Sequence, residues 1–108
     1  MPKYLFQGSY TAEGVQGLLK EGGTRRRDVA RQVFESVGGK LEAYYFAFGT
    51  NDVIGIADVP DNASMAAVSL AISARGAFRF TTTPLLTPEE IDEATMKRVV
   101  YRAPGQEA

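Results

Sequence analysis

Four short runs rich in β-branched and aromatic residues punctuate this chain, at 3–10 (KYLFQGSY), 40–49 (KLEAYYFAFG), 52–59 (DVIGIADV) and 78–87 (FRFTTTPLLT). Their unequal spacing restricts the topology. The middle two are separated only by Thr50 and Asn51, which suits a hairpin. Both longer gaps carry helical periodicity. In the first, Thr11 is placed to cap a helix with Val15, Leu18 and Leu19 on one side. Gly14 and Gly17 weaken it by about 1 kcal/mol each relative to alanine, so a short or irregular helix ending at Gly22–Gly23 is expected. Thr24 is then placed to cap a second piece striped by Val29, Ala30, Val33, Phe34 and Val37, which Gly38–Gly39 ends. The second gap has Asp61 or Asn62 as cap and Met65, Val68, Leu70, Ala71 and Ile72 in a small-residue helix. Past the last strand, where Pro84 marks an edge, a bulge or the strand end, Thr87, Pro88 and Glu90 form a strong helix start. Residues 102–108 read as a tail.

This order, βαββαβ plus a C-terminal helix, is that of an α+β, ferredoxin-like split βαβ fold in one domain spanning 1–108. A four-stranded antiparallel sheet with helices on one face follows. Strict alternation over 40–49 puts Leu41, Ala43, Tyr45 and Ala47 on one face and Glu42, Tyr44, Phe46 and Phe48 on the other. The aromatics Tyr4, Phe6, Phe46, Phe48, Phe78 and Phe80 allow two readings. They either form the uncovered sheet face, which a second copy of the chain would shield, or lie beneath the helices. The first is preferred here, and a homodimer or higher oligomer is expected.

Composition excludes several chemistries. Cysteine, histidine and tryptophan are absent, which removes disulfides, thiolate nucleophiles, Cys/His metal sites and a Ser-His-Asp triad. No metal or cofactor is expected, and proton transfer would fall to carboxylates, tyrosines or a depressed lysine. A net charge of −1 gives no field to draw the chain onto nucleic acid or an anionic membrane. With no apolar run approaching the ~18 residues of a membrane span, a cytoplasmic protein is expected.

The stretches YLFQGSYTAEGVQGLLKEGGTRRR, GGKLEAYYFAFGTNDV, IADVPDNASMAAVSLAISARGA and TTPLLTPEEIDEA resemble the GYD-domain family over nearly the whole chain. The resemblance implies a ferredoxin-like domain of the dimeric α/β-barrel type, without an established activity. The family's Gly-x-Tyr-Asp arrangement corresponds here to Gly49-Thr50-Asn51-Asp52, so Asn51 stands in place of the tyrosine. A turn role survives that exchange, because asparagine favours tight turns.

Three consecutive arginines, Arg25, Arg26 and Arg27, stand at the start of the second helix, where the helix dipole disfavours cations by about 0.3–1 kcal/mol each. On a wheel stepping by about 100° per residue, Arg26 falls within the apolar arc, with Arg25 and Arg27 at its margins. Arg26 then either pairs with a carboxylate of this chain, such as Asp52 or Asp58, or meets an anion from outside held by helix-start N–H groups and a planar guanidinium. Candidate ligand-binding residues are Arg26, Arg27, Thr24, Asp52, Asn51, Tyr4 and Tyr45, with Tyr10 and Tyr44 as further aromatics able to line a pocket. Three functions are compatible with these residues: an oligomeric protein binding a small, anionic metabolite, a cofactor-independent enzyme acting on a small organic substrate, and a structural assembly subunit without ligand.

Overall fold

The first strand, β1 (Lys3–Tyr10), sits near the centre of the sheet and organises the rest. The computed structural model describes residues 1–106. After β1 come α1 (Ala12–Glu21), α2 (Gly23–Ser36), β2 (Lys40–Phe46), β3 (Val53–Asp58), α3 (Asn62–Ala74), β4 (Phe78–Leu85) and α4 (Pro88–Thr95). The sheet order is β2-β3-β1-β4 and every pairing is antiparallel, which is the ferredoxin-like α+β arrangement. β4 is an edge strand, so Pro84 withholds no hydrogen bond from an inner ladder. No described helix is long and apolar enough to cross a membrane.

The register decides which aromatics are covered. Tyr4, Phe6 and Gly8 of β1 pair with Ala57, Gly55 and Val53 of β3 on one side and with Pro84, Thr82 and Phe80 of β4 on the other. Tyr4, Phe6, Val53 and Ala57 are buried with Phe34 of α2 and Met65 and Val68 of α3, so this is the helix-covered face. Tyr4, Phe6, Phe78 and Phe80 therefore lie beneath the helices rather than on the free face, which corrects the preferred reading of the sequence. Phe6 is their hub, with ring centroids 5.2 Å from Phe34, 5.8 Å from Phe80 and 6.1 Å from Tyr44. Its ring crosses β3 at Gly55, where a Cβ would fall 2.2 Å from Phe6 Cζ.

A bulge in β2 breaks the simple alternation. Leu41 pairs with Ala57, but the next pairing is Ala43 with Ile56, leaving Glu42 as the extra residue. Leu41, Tyr44 and Phe46 consequently share the helix side, while Ala43 and Tyr45 face the open side. Phe48 lies past the strand and is fully exposed.

The α1–α2 junction also differs from expectation. Gly22, at φ +84°, is the N-cap of α2, and Thr24 lies inside the first turn without a capping hydrogen bond. The chain passes from one helix to the next through Gly22 alone, and a glycine supplies the positive φ that this junction takes. Gly23 is needed for contact, since a Cβ there would lie 2.9 Å from the Phe46 ring. At the other end, Gly38 at φ +79° and Gly39 donate back to Glu35 and Phe34 carbonyls and stop α2 as expected. Asp61 caps α3 by accepting from Ser64 N at 2.8 Å. α4 begins with the expected capping box, Thr87 and Glu90 each accepting from the other's backbone N–H at 3.0 Å.

Candidate functional site

The first turn of α2 brings Arg26 over the end of the sheet where β1, β2 and β4 present Tyr10, Tyr44 and Phe78. Between them lies a cavity of about 90 Å³, several times the ~10–15 Å³ that one water needs. Its wall is mostly apolar: Val29, Ala30 and Val33 from α2, Ile72 from α3, and the rings of Phe6 and Phe80 from the sheet. Among the described residues Arg26 is the one charged residue in the lining. Its Nε is buried and has no hydrogen-bond partner. Its Nη1 stands 3.6 Å from Glu21 Oε2 at the end of α1, a separation that gives an ion pair without a close hydrogen bond.

The two phenols complete the polar character of the site. Burial pushes the Tyr44 hydroxyl well above its ordinary value of 10.0, the neighbouring Tyr10 phenol adds to the shift, and the Arg26 guanidinium opposes it. Tyr44 is therefore a neutral O–H group at any physiological pH. A guanidinium N–H and phenol O–H groups set in an apolar wall can hold an oxyanion carried on an apolar body.

The carboxylate of this chain that Arg26 meets is thus Glu21, and not Asp52 or Asp58 as the sequence suggested. Asp58 accepts from Lys3 Nζ at 2.9 Å, and Lys3 also reaches Glu42 at 2.8 Å. Asp52 is held by backbone: its Oδ2 accepts from Tyr10 N at 2.9 Å, its own N–H donates to Gly8 O at 2.7 Å, and its carbonyl accepts from Ala47 N. Ser9 Oγ adds a bond to Thr50 O, so the whole 49–52 turn is sewn to the end of β1. Asn51 extends the same stitching, its Nδ2 donating to Gln7 Oε1 at 2.8 Å. The motif thus fixes the end of β1, and with it Tyr10, which reaches the cavity.

The other candidates divide by position. Thr24 and Arg27 line an outer groove shared with Tyr44 and Phe46, and Asp52 lines another shared with Tyr10, Leu18 and Phe46. Arg27 Nε lies 3.8 Å from Asp28 Oδ1. Tyr4 is in the core, its hydroxyl donating to Asn62 Oδ1, and Tyr45 is 71% exposed on the open face. Neither lines the cavity. Of the four tyrosines considered from the sequence, Tyr10 and Tyr44 do. Phe78 and Phe80 were expected on a sheet face but not in a site; Gly8 is what admits Phe78, since a Cβ there would fall 2.3 Å from its ring. Among the described residues no group of three or more carboxylates, histidines or cysteines gathers to hold a metal ion.

Comparison with known proteins agrees with the motifs. The GYD domain family profile matches residues 4–95. No curated protein and no solved structure matches the chain. With that match spanning the sheet from Tyr4 onward and all the residues that line the cavity, the chain belongs to the GYD domain family.

Proposed function

We propose that this GYD domain is an oligomeric binding protein for a small organic acid, whose apolar body fills the cavity and whose oxyanion meets Arg26. The observation that carries this reading is the buried Arg26 Nε–H without a partner beside an apolar void. Leaving such a donor unpaired costs about 1–3 kcal/mol. A ligand carboxylate would recover that energy, and would also offset the placement of cations at the positive end of α2.

Binding is favoured over catalysis by the lining itself. Among the described residues its lining contains no aspartate or glutamate, and the Tyr44 phenol is held protonated, so it offers neither a carboxylate base nor a Tyr44 phenolate at neutral pH. Thermal-shift titration with benzoate and with its neutral isostere benzamide tests the reading. Benzoate raises Tm in the parent chain and not in Arg26→Met, and benzamide raises neither. Equal shifts with the two probes, or a benzoate effect retained in Arg26→Met, would overturn it.

A further inference from the structure

The chain exposes 7915 Å² of surface, whereas a compact protein of 11.7 kDa exposes about 5,900 Å². The radius of gyration is 17.6 Å against about 13 Å for a compact chain of this length. The C-terminal arm contributes to both excesses. Every residue from Leu86 to Arg102 is exposed, including Leu86, Ile91, Met96, Val99, Val100 and Tyr101. α4 buries none of its residues and packs extensively against no other element. It is nonetheless well formed and capped. An isolated helix this short is marginal in water, so its apolar face requires a surface to rest on.

The same chain carries an uncovered apolar surface elsewhere. On the open face of the sheet, Leu5, Ile54, Ile56, Ala43 and Tyr45 are adjacent across β1, β3 and β2. Tyr45 is 71% and Ile54 38% exposed. The arm cannot easily reach this face of its own sheet. Only Leu86 and Thr87 separate β4 from α4, and the capping box fixes the helix start immediately after them, leaving no hinge. The molecule is 60 Å long as a result.

We infer that the C-terminal arm docks on the open sheet face of a second copy of this chain, reciprocally about a two-fold axis. An arm and a receiving face on one chain are what such an exchange requires, and it closes after two copies. The surface excess of about 2,000 Å² per chain exceeds the ~800 Å² that each partner buries in a standard stable interface. Charge agrees as well: α4 carries Glu89, Glu90, Asp92 and Glu93, and the receiving face presents Arg79, which is in no ion pair among the described residues. This inference rests on the oligomer reading above and says which surfaces make it.

Light scattering on the full chain at tens of micromolar is expected to give a dimer. Ile91→Glu combined with Val99→Glu on the arm, or Ile54→Glu on the face, each raise the dimer Kd by about tenfold or more. Far-ultraviolet circular dichroism of the sheet signal checks that the body stays folded, as it should with these exposed positions. Mixing the arm variant with the face variant restores a heterodimer, because one intact arm then meets one intact face. The chain has no cysteine, so Ile54→Cys with Ile91→Cys and a short flexible bis-maleimide gives a clean linkage test. Covalent dimers support exchange, and a circularised monomer overturns it. A monomeric parent chain would overturn both this inference and the oligomer reading. A dimer indifferent to the arm substitutions would overturn the exchange alone.

Discussion

Arg26 combines a long flexible side chain with a buried, unpaired Nε, a combination that costs stability in the unliganded protein. Replacing it with methionine keeps the methylene packing along α2 and removes the orphaned donor. Arg26→Met is therefore expected to stabilise the unliganded chain by about 1 kcal/mol in urea unfolding while removing benzoate binding. A loss of stability as large as that gain would mean that the pair with Glu21 at 3.6 Å outweighs the buried N–H. Tyr44 makes a second, independent expectation. Its folded pKa is raised above the ordinary 10.0, so the unfolded chain gives up the proton first as pH rises. The stability attached to that phenol is complete below pH 10.0 and is lost as pH climbs above it. Tyr44→Phe should flatten the alkaline end of the stability profile, and tyrosinate absorbance in the parent should show a phenol titrating well above 10.0 that is missing from Tyr44→Phe.

At the scale of elements, glycines test the packing with opposite signs. A Cβ on Gly55 would meet the Phe6 ring at 2.2 Å and Ala43 O at 2.7 Å, so Gly55→Ala overpacks the centre of the sheet and should cost about 1–3 kcal/mol. Gly17, in the middle of α1, has open space around it, and Gly17→Ala should stabilise by about 0.5–1 kcal/mol through helix propensity. Equilibrium unfolding of the two variants checks both, and like signs would contradict the placement of α1 and β3. The element order, the Asp61 and Thr87 caps and the stop at Gly38–Gly39 were legible in the sequence, because each depends on a local residue pattern. The face carrying the aromatics was not. Alternation separates two faces without saying which one the helices cover, and the Glu42 bulge reverses the phase midway along β2. Thr24 was misplaced as a cap for a related reason, since the preference for threonine yields where the backbone must take a positive φ and Gly22 already stands there. Arg26 was legible from helical phase alone. That it would meet neither Asp52 nor Asp58 was not, because their partners, the Tyr10 N–H and Lys3, come from β1.

For the whole molecule, the division between a packed body and a bare arm has a kinetic signature. Amides of β1 and β3 lie in the centre of the ladder and open only with global unfolding. α4, alone, would exchange its amides almost as an unstructured peptide does, since eight residues cannot sustain a helix in water without tertiary support. If the arm rests on a second copy, its protection is governed by the monomer–dimer equilibrium and must rise with protein concentration, as any stabilisation by association does. Hydrogen exchange read by mass spectrometry over a hundredfold range of concentration should then show peptides covering 88–95 slowing markedly while peptides from β1 and β3 change far less. Peptides containing Tyr45 and Ile54 on the receiving face should follow the arm, because the same contact shields both. Arm exchange that is fast at every concentration would leave α4 without a partner. Arm protection that is high and independent of concentration would place the helix against its own chain, in conflict with the two-residue link that carries it away from β4.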